Sequence, residues 1–188
     1  VSPETTRTIK DVKVTVDSQL VCWHDDHLKR VGIDSIMIPA TTLEQLQSLS
    51  LVQTRKDVTY TAKICTVDEY LAICKEYNVF PVIELKWGIG LNNNDMTLFP
   101  ALYALIEKHG LVEEAIILTS MKQSLEYIRS NYPQLTCQWL RHKVQDEEYT
   151  WCQDWGVDLS VAHTSVTEDV IAHSKQIKKD VATWTVND

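Results

Sequence analysis

The sequence predicts an α/β fold in which parallel strands alternate with helices. From residue 66 onward, short apolar runs typical of buried strands alternate with amphipathic segments typical of helices. Such an order needs helical crossovers, and crossovers make neighbouring strands parallel. An open doubly wound sheet and a closed (β/α)₈ barrel share this local pattern, so periodicity alone does not separate them.

The N-terminal part predicts a strand, a turn and a second strand. Residues 12–16 alternate valine with polar neighbours, Asp17-Ser18 has turn chemistry, and residues 20–23 run apolar into His24 and Asp25. Asp11 stands near the start of the first predicted strand. A short capped helix is then expected at residues 42–46, followed by a polar excursion over residues 50–64.

The rest of the chain predicts helices and strands in regular succession. Thr66 opens a helix with an apolar stripe that ends near Asn78, and Gly110 closes a later helix. The predicted order is helix 66–78, strand 80–86, loop 88–95, helix 98–108, strand 115–120, helix 122–131, strand 135–140, helix 146–155, strand 157–161, helix 167–177 and strand 181–186.

Charged side chains mark the ends of two predicted strands. A strand that carries Asp11, turns and returns to His24 brings a carboxylate and an imidazole within reach, a pair that suits metal-assisted acid/base chemistry. Glu84 and Lys86 interrupt an apolar strand and point to the same face, because side chains repeat every second residue. Buried charges are costly unless they are paired or serve a site. A Glu–Lys ion pair at a strand end is the alternative interpretation.

Composition limits the class of protein. The 188 residues predict one domain over 1–188, and the net charge of −8 argues against nucleic acid as a partner. A small anionic substrate remains compatible if a divalent cation reverses the local field. No apolar run approaches the roughly 20 residues of a membrane span. The five cysteines lack zinc-site spacing, which predicts buried free thiols and favours a reducing, cytoplasmic location.

An ordered set of motifs gives the most specific signal. One group matches a strand–turn–strand pattern that ends in His-Asp: Asp11, Val12, Thr15, Asp17, His24, Asp25, Leu28 and Arg30. Further segments follow in order: Ile83-Glu84-Leu85-Lys86, Ile116-Ile117-Leu118-Thr119-Ser120, Tyr132-Pro133 and Trp184-Thr185-Val186-Asn187-Asp188. Together they resemble the glycerophosphodiester phosphodiesterase family over nearly the whole chain. The resemblance implies a (β/α)₈ TIM barrel with its site at the carboxyl ends of the strands.

The resemblance also implies a reaction and roles for five residues. A phosphoric diester hydrolase of this family would release glycerol 3-phosphate and an alcohol from a small glycerophosphodiester or a polymeric glycerophosphate such as a wall teichoic acid. Asp11 and Glu84 would bind a divalent cation, Mg²⁺ or Ca²⁺, which prefer oxygen ligands. Lys86 would hold a phosphate oxygen, His24 would act as the general acid, and Trp184 would lie beside the substrate.

Several residues near these motifs keep two interpretations. Asp25 either orients a neighbour or makes an Asx turn. Trp87 and residues 92–94 either rim the pocket or form a solvated turn. The remaining histidines lack ligand spacing and are expected to be structural or exposed: His27, His109, His142, His163 and His173.

The chain departs from the family pattern at its start. Residues 2–6 look like the remnant of a Pro-Glu-Asn-Thr segment, and the expected His-Arg-Gly has no counterpart. Ile9 stands where the family has the first glutamate of Glu-x-Asp. We therefore expect about six of the eight strands of a barrel. A catalytically inactive barrel that serves as a binding or structural module is the alternative function.

Overall fold

The computed structural model describes residues 6–90 and 95–186. Expectations for residues 2–5, 92–94 and 187–188 lie outside this part of the chain. No helix in the described part is long and apolar enough to cross a membrane.

The predicted alternation of strands and helices is confirmed within the described residues. Twelve strands are present there: β1 (Arg7–Val14), β2 (Leu20–Cys22), β3 (His27–Leu28), β4 (Ile33–Met37), β5 (Leu51–Arg55), β6 (Val58–Ala62), β7 (Cys65–Thr66), β8 (Phe80–Glu84), β9 (Ile116–Thr119), β10 (Thr136–Arg141), β11 (Asp158–Ala162) and β12 (Val181–Trp184). The α-helices are α1 (Leu43–Ser48), α2 (Val67–Glu76), α3 (Phe99–Lys108), α4 (Lys122–Asn131), α5 (Asp146–Trp155) and α6 (Glu168–Gln176).

The main sheet has eight strands in the order β12-β11-β10-β9-β8-β1-β2-β7. Every pairing from β12 to β1 is parallel, whereas β2 and β7 join by antiparallel pairing. Six parallel strands with intervening helices are the arrangement of a (β/α)₈ barrel. Among the described residues the sheet does not close, as the sequence led us to expect.

The first strand begins earlier than the sequence predicted. β1 starts at Arg7, so Asp11 lies four residues inside it and not near its start. Its first part pairs in parallel with β8, in a register that sets Asp11 opposite Glu84, and residues 12–14 then pair with β2. The parallel pairing with β8 recruits residues 7–10, which local periodicity did not mark. Asp11 thus stands at the carboxyl end of the parallel segment, where barrel sites form.

The sheet buries both of its faces. The helix-covered face carries the main core, in which Ile83, Ile117 and Leu159 of the strands pack with Phe99 and Leu125 of the helices, all fully buried. The opposite face carries a smaller apolar cluster of Val82, Ile116 and Leu118. Burial on both faces explains why the central strands are continuous apolar runs. It also leaves their carboxyl ends as the place for polar groups.

The predicted polar excursion over residues 50–64 is a β-hairpin. β5 and β6 pair in register from Leu51 opposite Ala62 to Arg55 opposite Val58. The two-residue turn Lys56-Asp57 has positive φ at both positions, 48° and 62°, as a type I′ turn requires. Type I′ turns favour Asn-Gly or Asp-Gly. Lys-Asp lacks that signal, so the hairpin could not be predicted from the turn residues.

Candidate active site

Strand pairing brings His24 next to Asp11. Residues 12–14 pair with β2, and the Trp23 N–H continues this ladder by donating to the Asp11 carbonyl oxygen at 3.0 Å. The Trp23 indole N–H donates to the His27 carbonyl oxygen at 2.9 Å and fixes the turn that follows. His24 therefore leaves the sheet at the carboxyl end of the parallel segment, with its side chain about half exposed (47%).

Lys86 links the two halves of the site. It follows β8 by two residues, so the strand ends earlier than the predicted residue 86, and Lys86 still lines the same cavity as Glu84. Its Nζ lies 2.7 Å from His24 Nε2 and 3.5 Å from Asp11 Oδ1. Nζ also donates to the His24 carbonyl oxygen at 3.4 Å. An ammonium, an imidazole and a carboxylate thus meet at one end of the sheet.

Asp25 and Arg30 flank the other side of the His24 ring. Asp25 Oδ1 lies 2.6 Å from His24 Nδ1, and Arg30 Nε donates to Asp25 Oδ2. A second Arg30 nitrogen lies 2.9 Å from His24 Nδ1, so Nδ1 faces an acceptor and a donor at once. Either tautomer therefore finds a partner. Arg30, and after it His24, hold the pKa of Asp25 well below its usual range, which keeps this carboxylate charged.

Asp11 and Glu84 form a carboxylate pair. They lie directly opposite each other on β1 and β8. Burial raises the pKa of Glu84, and the nearby Asp11 carboxylate raises it further. Asp11 Oδ1 is buried and, within the described residues, makes no hydrogen bond, although the Lys86 ammonium forms an ion pair with it at 3.5 Å. Two adjacent carboxylates, one with a buried oxygen left without a hydrogen bond, suit a hard divalent cation that neutralises both.

The pair falls short of a complete cage of protein ligands. No group of three or more His, Cys, Asp or Glu side chains is arranged to hold a metal in residues 6–90 and 95–186. Ile9, two residues before Asp11, is 54% exposed and supplies no ligand. Mg²⁺ keeps several waters and often takes one or two carboxylates plus substrate phosphate. Two carboxylates, with the remaining positions open to water and phosphate, are compatible with a hard divalent cation, Mg²⁺ or Ca²⁺.

A cavity of about 760 Å³ opens from these residues across the apolar face of the sheet. His24, Glu84 and Lys86 line one side, and Trp184 lines the other. The Trp184 indole N–H donates to the Arg141 carbonyl oxygen at 3.3 Å, which holds the ring over the end of β11. The cavity is thus polar at its charged end and aromatic at the opposite end.

Sequence reasoning missed other residues of this cavity. Gln138 and Ser160 line it from β10 and β11, and both are largely buried. A polar residue at an inward position of an apolar strand is the signal that could have identified them. Trp87, one of the expected rim residues, is 55% exposed and does not line this cavity. Residues 92–94 lie outside the described part.

Several solved structures have the same fold as this chain. A structure of a glycerophosphodiester phosphodiesterase-like protein from Galdieria sulphuraria superposes with a TM-score of 0.80 at 15% identity, covering 97% of this chain and 74% of that one. One from Silicibacter pomeroyi gives 0.79 at 17% identity, with 96% and 72% covered. An Oleispira antarctica phosphodiesterase, solved with the product sn-glycerol-3-phosphate, gives 0.78 at 16% identity, with 98% and 74% covered.

These likenesses establish the TIM-barrel type of fold. No curated protein sequence matches the chain. The sequence model of the glycerophosphoryl diester phosphodiesterase family matches residues 10–188. That match includes Asp11, His24, Glu84 and Lys86, the residues that meet at the carboxyl ends of β1 and β8. This chain belongs to the glycerophosphoryl diester phosphodiesterase family.

Proposed function

We propose that the protein hydrolyses glycerophosphodiesters to glycerol 3-phosphate and an alcohol in a reaction that depends on a divalent cation. The observation that carries this proposal is the meeting of Lys86, His24 and the Asp11–Glu84 pair at the carboxyl ends of β1 and β8. Lys86, His24 and Glu84 line the cavity there. Family membership supports it, and so does the structural neighbour solved with sn-glycerol-3-phosphate. A polymeric glycerophosphate would present the same bond to the same groups.

Lys86 is suited to bind the phosphate. Its ammonium lies between His24 Nε2 and Asp11 Oδ1, so a phosphate oxygen bound there sits within reach of the imidazole. A phosphodiester carries one negative charge, and the ammonium neutralises part of it. Without substrate, the short contact to Lys86 places a lone pair on Nε2. A bound phosphate would compete for the ammonium and release Nε2 to carry a proton.

His24 is suited to protonate the leaving alkoxide. An imidazole has a proton to give near neutral pH, which an alkoxide leaving group needs. Asp25 accepts from Nδ1–H both when the ring is charged and after Nε2 has given its proton to the leaving group. Both protonation states are thus held in one ring orientation. This arrangement favours the interpretation of Asp25 as an orienting residue over a simple Asx turn.

Asp11 and Glu84 would hold the divalent cation. Bound there, the cation would withdraw charge from the phosphate and so favour attack at phosphorus. The pair itself stabilises the cation by two negative charges in a partly buried place. Trp184 would contact the glycerol or headgroup, since it lines the same cavity opposite the charged residues.

One observation favours a second function, a barrel that binds but does not cleave. Ile9 presents a half-exposed alkyl chain beside Asp11, where a third carboxylate would complete the cation site. A weakly held cation would leave the phosphate uncleaved and the cavity as a binding site for a glycerophosphate group.

Turnover separates the two functions. We expect the protein to release glycerol 3-phosphate from glycerophosphocholine or glycerophosphoethanolamine in the presence of Mg²⁺ and to lose this activity on addition of EDTA. Readdition of Mg²⁺ should restore it. Binding of glycerol 3-phosphate without turnover under all metal conditions would support the inactive barrel and contradict the hydrolase.

Asp25→Asn should lower kcat by about tenfold, less than the 10²- to 10⁴-fold contribution of a general acid itself. The amide keeps the shape of the side chain but no longer stabilises a charged His24 ring. KM should stay unchanged, because Lys86 still binds the phosphate, and the loss of kcat should be smaller on a nitrophenyl phosphodiester, whose leaving group needs little protonation. An equal loss of kcat on both substrates would show that Asp25 has a purely structural role. Asp26→Asn, at the neighbouring exposed carboxylate, is the matched control.

A further inference from the structure

Cys22 and Cys65 lie opposite each other on the paired strands β2 and β7, and Cys22 precedes His24 by two residues. β2 and β7 pair antiparallel with these two residues directly opposite each other. Opposite residues in such a pair share a face, with Cα atoms about 4.5–5.5 Å apart. A disulfide spans Cα separations of about 4.4–6.8 Å. Both are free thiols in the structure, so the backbone already has the spacing that a cross-strand bond needs.

The two sulfur atoms converge on one point. Cys65 Sγ lies 3.2 Å from the Thr66 carbonyl oxygen, and Cys22 Sγ lies 3.9 Å from the same atom. Both side chains therefore point to the same side of the strands. Bond formation would need rotation of side chains and little movement of the backbone.

The environments of the two thiols differ in a way that gives each a role. Cys22 is buried and Cys65 is half-buried, and both line a cavity of about 360 Å³ beside His24. A hydrogen bond from the Cys22 thiol lowers the pKa of Cys65. The same interaction, followed by burial, raises the pKa of Cys22. The more accessible sulfur is thus the better thiolate, as for reactive cysteines in general.

We propose that Cys22 and Cys65 are a redox-active pair that exchanges with a low-molecular-weight disulfide such as oxidised glutathione to form a reversible cross-strand disulfide. The Cys65 thiolate attacks one sulfur of glutathione disulfide, whose S–S bond breaks and releases one glutathione thiolate. Cys22 then loses its proton to solvent and attacks the Cys65 sulfur, which releases the second glutathione. Two electrons pass from the protein thiols to glutathione, and both released thiolates take up a proton.

The disulfide would tie β2 to β7 two residues before His24. The short strand β2 spans three residues and ends directly before Trp23. The Trp23 N–H donates to the Asp11 carbonyl oxygen, and this hydrogen bond holds His24 beside Asp11. A covalent link there closes the long loop between Cys22 and Cys65, which reduces the entropy of the unfolded chain. The oxidised protein should therefore melt at a higher temperature than the reduced one. Formation of this disulfide requires none of the residues proposed for phosphodiester hydrolysis.

The test is a glutathione redox titration of the full chain. We expect oxidation to lower the intact mass of the unalkylated protein by about 2 Da, as formation of one disulfide requires. Alkylation of the denatured protein afterwards should then modify three of the five cysteines. Peptide mapping should link Cys22 to Cys65, and a reductant should reverse the change. Retention of five alkylatable thiols under oxidising glutathione, or a link to the neighbouring Cys74, would overturn the proposal.

Single variants test the order of attack. Cys22→Ser should stop at a glutathione adduct on Cys65, because the resolving thiol is absent. Cys65→Ser should leave Cys22 unmodified, because the buried thiol does not reach glutathione. Cys152→Ser, at a thiol buried in the helix-covered core, should behave as the wild type does. A glutathione adduct at Cys22 would contradict the assignment of Cys65 as the attacking thiol and Cys22 as the resolving thiol. If a variant fails to fold, the peptide map of the oxidised wild-type protein decides the proposal.

Discussion

His24→Asn should lower kcat for a glycerophosphodiester by about 10²- to 10⁴-fold, which is the usual contribution of a general acid. Asparagine can occupy the place of the ring and accept from Lys86, whose Nζ lies 2.7 Å from Nε2 in the native protein. It has no proton to deliver to a leaving alkoxide. Release of glycerol 3-phosphate from glycerophosphocholine at saturating substrate measures the effect. KM should change little, because Lys86 still binds the phosphate.

The leaving group separates acid catalysis from positioning. A nitrophenyl phosphodiester releases a stable phenolate that needs little protonation. His24→Asn should therefore lower kcat much less on this substrate than on glycerophosphocholine. An equal loss on both substrates would mean that His24 positions Lys86 and does not donate a proton. His173→Asn, an exposed histidine on α6, is the matched control and should leave both rates unchanged.

Local periodicity predicted much of the fold and part of the site. Continuous apolar runs identified β8 to β12, because strands buried on both faces have no polar side. The spacing of Glu84 and Lys86 placed both on one face, and the structure puts them beside the same cavity. The proximity of Asp11 and His24 followed from the strand–turn–strand pattern. Each of these features is encoded by neighbours in the sequence.

Features that depend on distant partners escaped prediction. β1 begins at Arg7 because residues 7–11 pair with β8. In this stretch Ile9 is the one apolar residue, so no apolar alternation marks a strand there. The contact of Arg30 with Asp25 depends on how the turn after His24 folds, which spacing alone does not determine. The type I′ turn at Lys56-Asp57 lacks glycine, so only the pairing of β5 with β6 makes it visible.

The carboxylate pair shows a conflict between stability and binding. In the folded protein, burial and the Asp11 charge both raise the pKa of Glu84 above the ordinary 4.5. A carboxyl group whose pKa rises on folding stabilises the fold below its ordinary pKa, and this contribution is lost as the pH rises through the raised value. At neutral pH the charged Glu84 therefore costs stability. A bound cation would reverse this cost, since it favours the charged forms of both residues.

Glu84→Gln should weaken Mg²⁺ binding by about 100-fold while it leaves the fold at least as stable as before. The amide keeps the size of the side chain, so packing is preserved, and it removes the repulsion from Asp11 that burial makes costly.

The magnitude follows from the loss of one of two charged ligands. A carboxylate about 4 Å from a divalent cation is worth roughly 8 kcal/mol at an effective dielectric constant of 20, and the loss of hydration by both ions offsets most of this. About 2.7 kcal/mol should remain, which is 100-fold in affinity. The loss of affinity should be large because Ile9, two residues before Asp11 on β1, supplies no carboxylate. Glu84→Gln would therefore leave Asp11 without a second carboxylate on this part of the sheet.

Calorimetric titration with Mg²⁺ measures the affinity, and thermal melting of the metal-free protein at neutral pH measures the stability. Glu44→Gln, at an exposed glutamate on α1, is the matched control and should alter neither. The melting temperature of Glu84→Gln should equal or exceed that of the wild type above the ordinary glutamate pKa, and the difference should vanish below it. Unchanged Mg²⁺ affinity in Glu84→Gln would remove this residue from the cation site. A lower melting temperature would show instead that the Glu84 carboxylate stabilises the fold, against the direction of its pKa.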